Sequence, residues 1–220
     1  MRKFLRQNSL TFVLMGCFLI FFAGQAAAGF FAYNQDRREH RESEISFADY
    51  LGSGHFLEAS AENWESEFLQ MSFYLFLTSF LTQKGSPESK RSGAEEKKET
   101  AKALRGPRKK IPWPVRQGGF ILKLYENSLT LVLFFLFLLS FGLHAVGGVK
   151  EYNGERMSHG QAPVALTAYL SSSRFWFESF QNWQSEFLSI GTLVILTIFL
   201  RQKGSHESKP VAAPHARTGH

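Results

Sequence analysis

The chain has a single cysteine, Cys17. One cysteine excludes an intramolecular disulfide and a zinc site built from several thiolates, so Cys17 is predicted to be an inert apolar side chain. The sequence also lacks a glycine-rich phosphate loop, a histidine pair at metalloprotease spacing and a nucleophile elbow. These absences predict a protein that is not an enzyme and that uses no cofactor and no resident metal ion.

Charge is missing from two long apolar stretches. Residues 10–32 and 129–149 contain no Asp, Glu, Lys or Arg, and about 20 such residues span the roughly 30 Å of bilayer hydrocarbon as a helix. Two shorter apolar runs, 68–82 and 187–200, reach only about 21–22 Å as helices. We expect these shorter helices to be extended outward until they can cross.

The two long stretches belong to two copies of one sequence unit. A shift of 119 positions aligns residues 8–90 with 127–209 without a gap, at roughly 45% identity, which coincidence does not explain. Each copy contains a long span, a polar loop, a short span and a basic exit. Because the second copy carries a long span in mid-chain, we interpret the first as a span too, rather than as a signal peptide.

Basic residues predict the orientation, since cytoplasmic flanks collect Lys and Arg. They are concentrated before the first span, between the copies and after the last span, whereas loops 34–67 and 151–186 carry few. Those loops are predicted to face outward, with both termini cytoplasmic. The predicted class is an all-α membrane protein with four transmembrane helices, formed by two tandem two-span repeats in parallel orientation with interfacial amphipathic segments.

The region between the copies is basic and almost free of large apolar groups before Ile111, so it cannot bury enough surface to offset its ordering entropy. The predicted segments are repeat 1 (1–90, spans about 10–33 and 64–83), a basic disordered cytoplasmic linker (91–118), repeat 2 (119–209, spans about 129–149 and 183–201) and a disordered tail (210–220).

The basic linker permits two interpretations. Its charge sets topology and solubility, or it also recruits anionic lipid at about 1 kcal/mol per residue. Nucleic acid is not an expected partner, because the inside flanks account for most of the positive charge. The lipid bilayer is the expected partner, and a homo-oligomer is left open.

Four tryptophans are predicted to anchor the chain at the membrane surface, where Trp is enriched. Trp64 and Trp183 precede the two short spans, Trp176 lies upstream of Trp183 at helical spacing, and Trp113 follows the linker.

Polar residues near the outer ends of the spans are the candidate site. Glu67 and Glu186 fall at the edge of the hydrocarbon, where a charge costs less than the about 2.5–3.5 kcal/mol of the span centre. Gln25 and His144 are the polar side chains at comparable depth on the long spans. We hypothesise Gln25–Glu67 and His144–Glu186 contacts; the alternative is that both acids extend to water.

Two loop histidines, His40 and His159, occupy equivalent positions in the two copies. This equivalence allows a weak metal-binding or pH-sensing role. Exposed loop histidines are, however, common without any function, and that is the interpretation we adopt.

Residues 175–188 and 201–210, together with 54–58 and 123–129, resemble an uncharacterised bacterial family of multi-spanning membrane proteins, a domain of unknown function. The resemblance covers nearly the whole chain. It departs at His206, where Pro87 of the first copy and the family pattern predict proline. The resemblance implies an integral protein of the bacterial inner membrane with no established activity, so no catalytic residues carry over.

Two classes of function follow. The first is a non-enzymatic membrane component that organises lipid or a protein partner. The second is a small transporter or channel with a site at the interface between the repeats, which is weakened by the absence of ionisable groups at mid-span.

Overall fold

The structure, a computed structural model, describes residues 2–87 and 111–217. Within these ranges every regular element is an α-helix, so the all-α fold class is confirmed. The helices in chain order are α1 (Arg2–Gln7), α2 (Ser9–Glu39), α3 (Phe47–Leu51), α4 (Gly54–Phe80), α5 (Trp113–Gln117), α6 (Gly119–Glu126), α7 (Ser128–Ser158), α8 (Leu166–Leu170) and α9 (Ser173–Phe199).

In the described part of the chain, α2 and α7 are the helices that are long and apolar enough to cross a membrane. Each has 31 residues, which gives about 46 Å at 1.5 Å per residue. Only 6% and 28% of their most apolar parts are buried, unlike the core helix of a soluble protein, and α7 is far from the amino terminus. Both helices continue beyond the predicted spans into the segments predicted to be outer loops.

Helices α4 and α9 have 27 residues each. They begin ten residues before the predicted short spans, so the amphipathic segment and the short apolar run form one continuous helix. Both starts are capped by serine: Ser53 Oγ accepts from the Phe56 amide at 3.1 Å, and Ser172 Oγ accepts from the Phe175 amide at 3.3 Å. Such caps satisfy amides that have no partner in the first turn.

Equivalent elements of the two sequence copies have the same bounds at an offset of 119 residues: α2 with α7, α3 with α8, and α4 with α9. The turns after α2 and α7 are closed in the same way. Asn34 exchanges two hydrogen bonds with the Ile45 backbone, at 3.0 and 2.9 Å, and Asn153 does so with Val164, at 3.0 and 2.7 Å. The shared sequence thus produces shared local structure.

Residues 91–110, most of the predicted linker, lie outside the described residues, as do 218–220. The end of the linker contains α5. At the last residue of repeat 2, the Lys209 ammonium is buried and donates to the backbone carbonyls of Ile198 at 3.1 Å and of His215, in the tail, at 2.8 Å. Burial lowers the pKa of Lys209. The predicted disorder of linker and tail stays a prediction.

The chain divides into two compact units. The first contains Met1–Ala61 and Leu143–Leu170, and the second contains Glu62–Gly142 and Ser171–His220. The core of the first unit is aromatic; its members are Ala26, Tyr50 and Phe56, with Phe22, Phe30, Tyr33 and Ile45 packed against them. In the second unit, Phe141 on α7 packs edge-on against Phe175 on α9, with ring centroids 5.2 Å apart.

Glycines bring α4 and α7 into backbone contact within the first unit. A Cβ at Gly147 would lie 2.6 Å from the Glu58 amide nitrogen, and one at Gly54 would lie 2.8 Å from the Gly147 carbonyl oxygen. Gly24 and Gly142, in contrast, have no neighbouring atom within 4 Å of such a Cβ. Glycine at positions 54 and 147 therefore permits the close approach of these two helix backbones.

We predict that Gly147→Ala destabilises the protein, because the added methyl meets backbone that cannot rotate away. The expected loss is about 1–3 kcal/mol, typical of overpacking. Gly142→Ala, on the same helix, is the matched control and is expected to be neutral or stabilising by up to about 1 kcal/mol. Thermal unfolding of purified protein in detergent measures both, and equal melting temperatures for the two variants would contradict the contact.

Candidate functional site

A polar cavity of about 340 Å³ lies in the first unit, between the carboxyl-terminal ends of α2 and α7. Its lining residues are Tyr33, Asp36, Arg37, His40, Glu42, Glu151, Gly154, Glu155, Ser158 and His159. Four carboxylates stand against one guanidinium, so the cavity favours cations. His40 and His159, equivalent in the two sequence copies, line the same cavity.

The two imidazoles are held in the same way. His40 Nδ1 lies 3.0 Å from the Asp36 carbonyl oxygen, and His159 Nδ1 lies 2.8 Å from the Glu155 carbonyl oxygen. A carbonyl oxygen can only accept, so Nδ1 donates in both rings. The bond to the Asp36 carbonyl and the negative Asp36 carboxylate raise the pKa of His40.

Arg37 fixes the turn beside the cavity. Its Nε donates to the Ser43 carbonyl at 2.6 Å, its Nη1 lies 2.9 Å from Glu42 Oε2, and its guanidinium lies 5.9 Å from the centre of the Tyr33 ring. In the second copy, Arg156 Nε donates to the Ala162 carbonyl at 2.8 Å. Arg37 is therefore committed to the turn and to Glu42, and the cavity keeps its negative balance.

A second polar cluster in the first unit is buried. Tyr169 Oη donates to Glu58 Oε1 at 3.2 Å, and an imidazole nitrogen of His144 lies within 4.8 Å of a Glu58 carboxylate oxygen. Glu58 is 8% exposed, while Tyr169 and His144 are fully buried. Gly148 makes room for this arrangement, since a Cβ there would lie 2.2 Å from Tyr169 Oη.

Sequence reasoning missed Glu58 and Tyr169. Glu58 lies in a polar stretch and, by spacing alone, looks like a solvated loop acid. One feature of the sequence could have indicated Glu58. The second copy has Phe177 at the equivalent position, so Glu58 is a departure from the repeat.

The four polar residues predicted as the candidate site are divided between the two units. Gln25 Nε2 donates to Ser60 Oγ at 3.4 Å, a long bond, within the first unit. Glu67 and Glu186, in the second unit, are close enough to interact electrostatically. The hypothesised Gln25–Glu67 and His144–Glu186 contacts would each join the two units, and both stay predictions.

In the second unit, polar bonds connect α4 to α9. Trp183 Nε1 donates to Glu65 Oε1 at 2.9 Å, and Gln70 Nε2 donates to the Glu186 carbonyl at 2.8 Å. Glu65 is fully buried. Trp183, predicted only as an interfacial anchor, therefore also supplies the donor for a buried carboxylate.

The other predicted anchors differ in exposure. Trp113 is 54% exposed and Trp176 is 37% exposed, and their interfacial role stays a prediction. Trp64 is half-buried on α4. Trp176 and Trp183 contact each other edge-on, with ring centroids 6.3 Å apart.

These features define an all-helical protein with two helices able to cross a membrane, a cation-favouring cavity and buried carboxylates. The family model described as Domain of unknown function (DUF6766) matches residues 1–220, and the chain belongs to this family. No curated protein and no solved structure matches the chain. The resemblance to a family of unknown function is thereby confirmed.

We predict that Tyr169→Phe destabilises the protein by about 1–3 kcal/mol, because it removes the hydroxyl donor from a buried carboxylate. Tyr125→Phe serves as control, since Tyr125 is 45% exposed on α6, and it should have little effect. The measurement is the thermal midpoint in detergent. Equal midpoints for the two variants would show that the Tyr169–Glu58 bond contributes no stability.

Proposed function

We propose that the chain is a four-span integral protein of a bacterial inner membrane, with α2, α4, α7 and α9 as the spans. The observation that supports this most is the distribution of polarity. Phe21 on α2 is 74% exposed, whereas the Glu65 and His144 side chains are fully buried. An apolar exterior around buried polar groups is unfavourable in water and natural in lipid.

Helices α4 and α9 carry more polar residues than α2 and α7, yet their carboxylates do not argue against insertion. Glu65 accepts from Trp183, and Glu58 accepts from Tyr169. A charged group with a donor costs far less in lipid than an isolated one. Each helix has 27 residues and is about 40 Å long. It is therefore long enough to cross the hydrocarbon of a bilayer, whereas its apolar run alone is too short.

The proposed topology has two tandem two-span hairpins in parallel orientation and both termini in the cytoplasm. Its supports are the common 119-residue offset of the helix bounds and the basic residues at the amino terminus, in the linker and after the last span.

The proposed role is non-enzymatic: the protein organises lipid or a protein partner. Short α6 supports it, because Phe120 and Leu124 are 79% and 50% exposed on a helix that also carries Lys123. Exposed Trp113 precedes it. Such a helix suits the headgroup layer, and the adjacent basic linker would attract anionic lipid. We propose no nucleic-acid partner; a homo-oligomer is compatible with this role.

A second candidate is a small transporter or channel. The specific observation in its favour is the polar cavity, whose walls come from equivalent segments of the two sequence copies. Glu58 and Glu65 are also buried. They are ionisable groups within α4, whereas the apolar runs predicted from the sequence contained none.

The topology can be tested by cysteine labelling. In a Cys17→Ser background, Ser43→Cys and Ala162→Cys should react with an impermeant maleimide added to intact cells. Lys97→Cys should react only after permeabilisation, because the linker is proposed to be cytoplasmic. External labelling of Lys97→Cys, or protection of both loop positions, would contradict the parallel-hairpin proposal.

Reconstitution distinguishes the two roles. In vesicles of mixed neutral and anionic phospholipid, the organising role predicts co-purification of anionic lipid, reduced in Lys109→Gln/Lys110→Gln, and no solute flux. The transporter role predicts flux of some cation or small solute, reduced at least about tenfold in Glu58→Gln by loss of a buried charge. The Glu67→Gln/Glu186→Gln double variant is compared with the parent in the same flux assay. Flux without lipid retention would overturn the organising role.

A further inference from the structure

We propose that the cavity between the ends of α2 and α7 binds one divalent transition-metal ion of the Zn²⁺ class, with His40 Nε2 and His159 Nε2 as ligands. Neighbouring carboxylates would complete the coordination. This inference goes beyond the proposed membrane role and beyond the expectation of no metal ion, and it depends on neither lipid organisation nor transport.

The two copies each contribute one imidazole to a single cavity of about 340 Å³, although the rings lie 119 positions apart in sequence. That volume accommodates an ion with bound water, since one water occupies about 30 Å³.

The two imidazole rings are held in the same tautomer. Both Nδ1 atoms donate to backbone carbonyls, which fixes the neutral tautomer that keeps the lone pair on Nε2. A hydrogen bond from the other ring nitrogen to a carbonyl is the usual companion of a metal-binding histidine, because it sets the tautomer and raises ligand basicity.

The cavity lining carries more negative than positive side chains. Asp36, Glu42, Glu151 and Glu155 line the cavity against Arg37 alone, and this balance favours a cation. Imidazole nitrogens with carboxylate oxygens suit Zn²⁺, Cu²⁺ or Ni²⁺, whereas Mg²⁺ and Ca²⁺ prefer oxygen ligands throughout.

Among the described residues, the lining groups are not gathered to the spacing of a finished metal site. The Asp36 side chain is 68% exposed, so it can change rotamer rapidly while the His40 ring keeps its Nδ1 bond to the Asp36 carbonyl. Ion binding therefore requires rotation of carboxylate side chains at the cavity wall.

The test is Zn²⁺ binding to the purified full chain in detergent, prepared without an added histidine tag and freed of metal by a chelator. Calorimetry should give one equivalent per chain. His40→Gln and His159→Gln should each weaken binding at least about tenfold, and the double variant more, because each removes one ligand. His206→Gln, which changes an exposed histidine of the tail-side turn, is the matched control and should bind as the parent does.

Cu²⁺ provides a readout of direct coordination. Electron paramagnetic resonance should show nitrogen couplings from two imidazoles in the parent and in His206→Gln, and from one in each single variant. Unchanged thermal midpoints without metal would show that the variants are folded. The proposal is overturned if Zn²⁺ does not saturate, if Mg²⁺ competes equally, or if the double variant binds as the parent does.

Discussion

The structure depends on one constraint, which is that a carboxylate removed from water must keep a donor. Glu65 is fully buried on α4, and its donor is the indole nitrogen of Trp183 on α9, 2.9 Å away. Leaving a buried charge without its partner costs several kcal/mol, so this bond ties the two helices in one register. Glu58 meets the same constraint through Tyr169, with the space that Gly148 leaves.

The two sequence copies share their turns and differ in their interiors. Asparagine, arginine and histidine recur at the same offset around the turns after α2 and α7, with the same hydrogen bonds. Tyrosine recurs there too, with an arginine guanidinium over each ring. The buried acids do not recur: Phe177 stands opposite Glu58 in the alignment, and Gln184 stands opposite Glu65. Local structure is therefore common to both copies, while the buried carboxylates Glu58 and Glu65 belong to the first copy.

Much of the helical framework could be predicted from sequence, because apolar runs and serine caps are local signals. The upstream parts of α4 and α9 were predicted as interfacial amphipathic segments, but their continuity with the short spans was not predicted, because helical spacing alone does not show whether two helical segments join without a break. Tyr169 lies 111 positions from Glu58, and no local pattern connects them. Glycines show the same limit: Gly142 and Gly147 look alike in sequence, and only the approach of Glu58 distinguishes them.

Helix geometry explains why a histidine lies at the end of α2 and of α7 beside the cavity. It also explains why capping the helix involves only one of the two ring nitrogens. His40 follows the last residue of α2, and both its amide nitrogen and its Nδ1 reach the Asp36 carbonyl. Carbonyls in a last turn lack helical partners and carry the negative end of the helix dipole. A capping ring uses only Nδ1 for this purpose. The second nitrogen of each ring remains for another ligand, and the same dipole that favours the cap also favours a cation beside it.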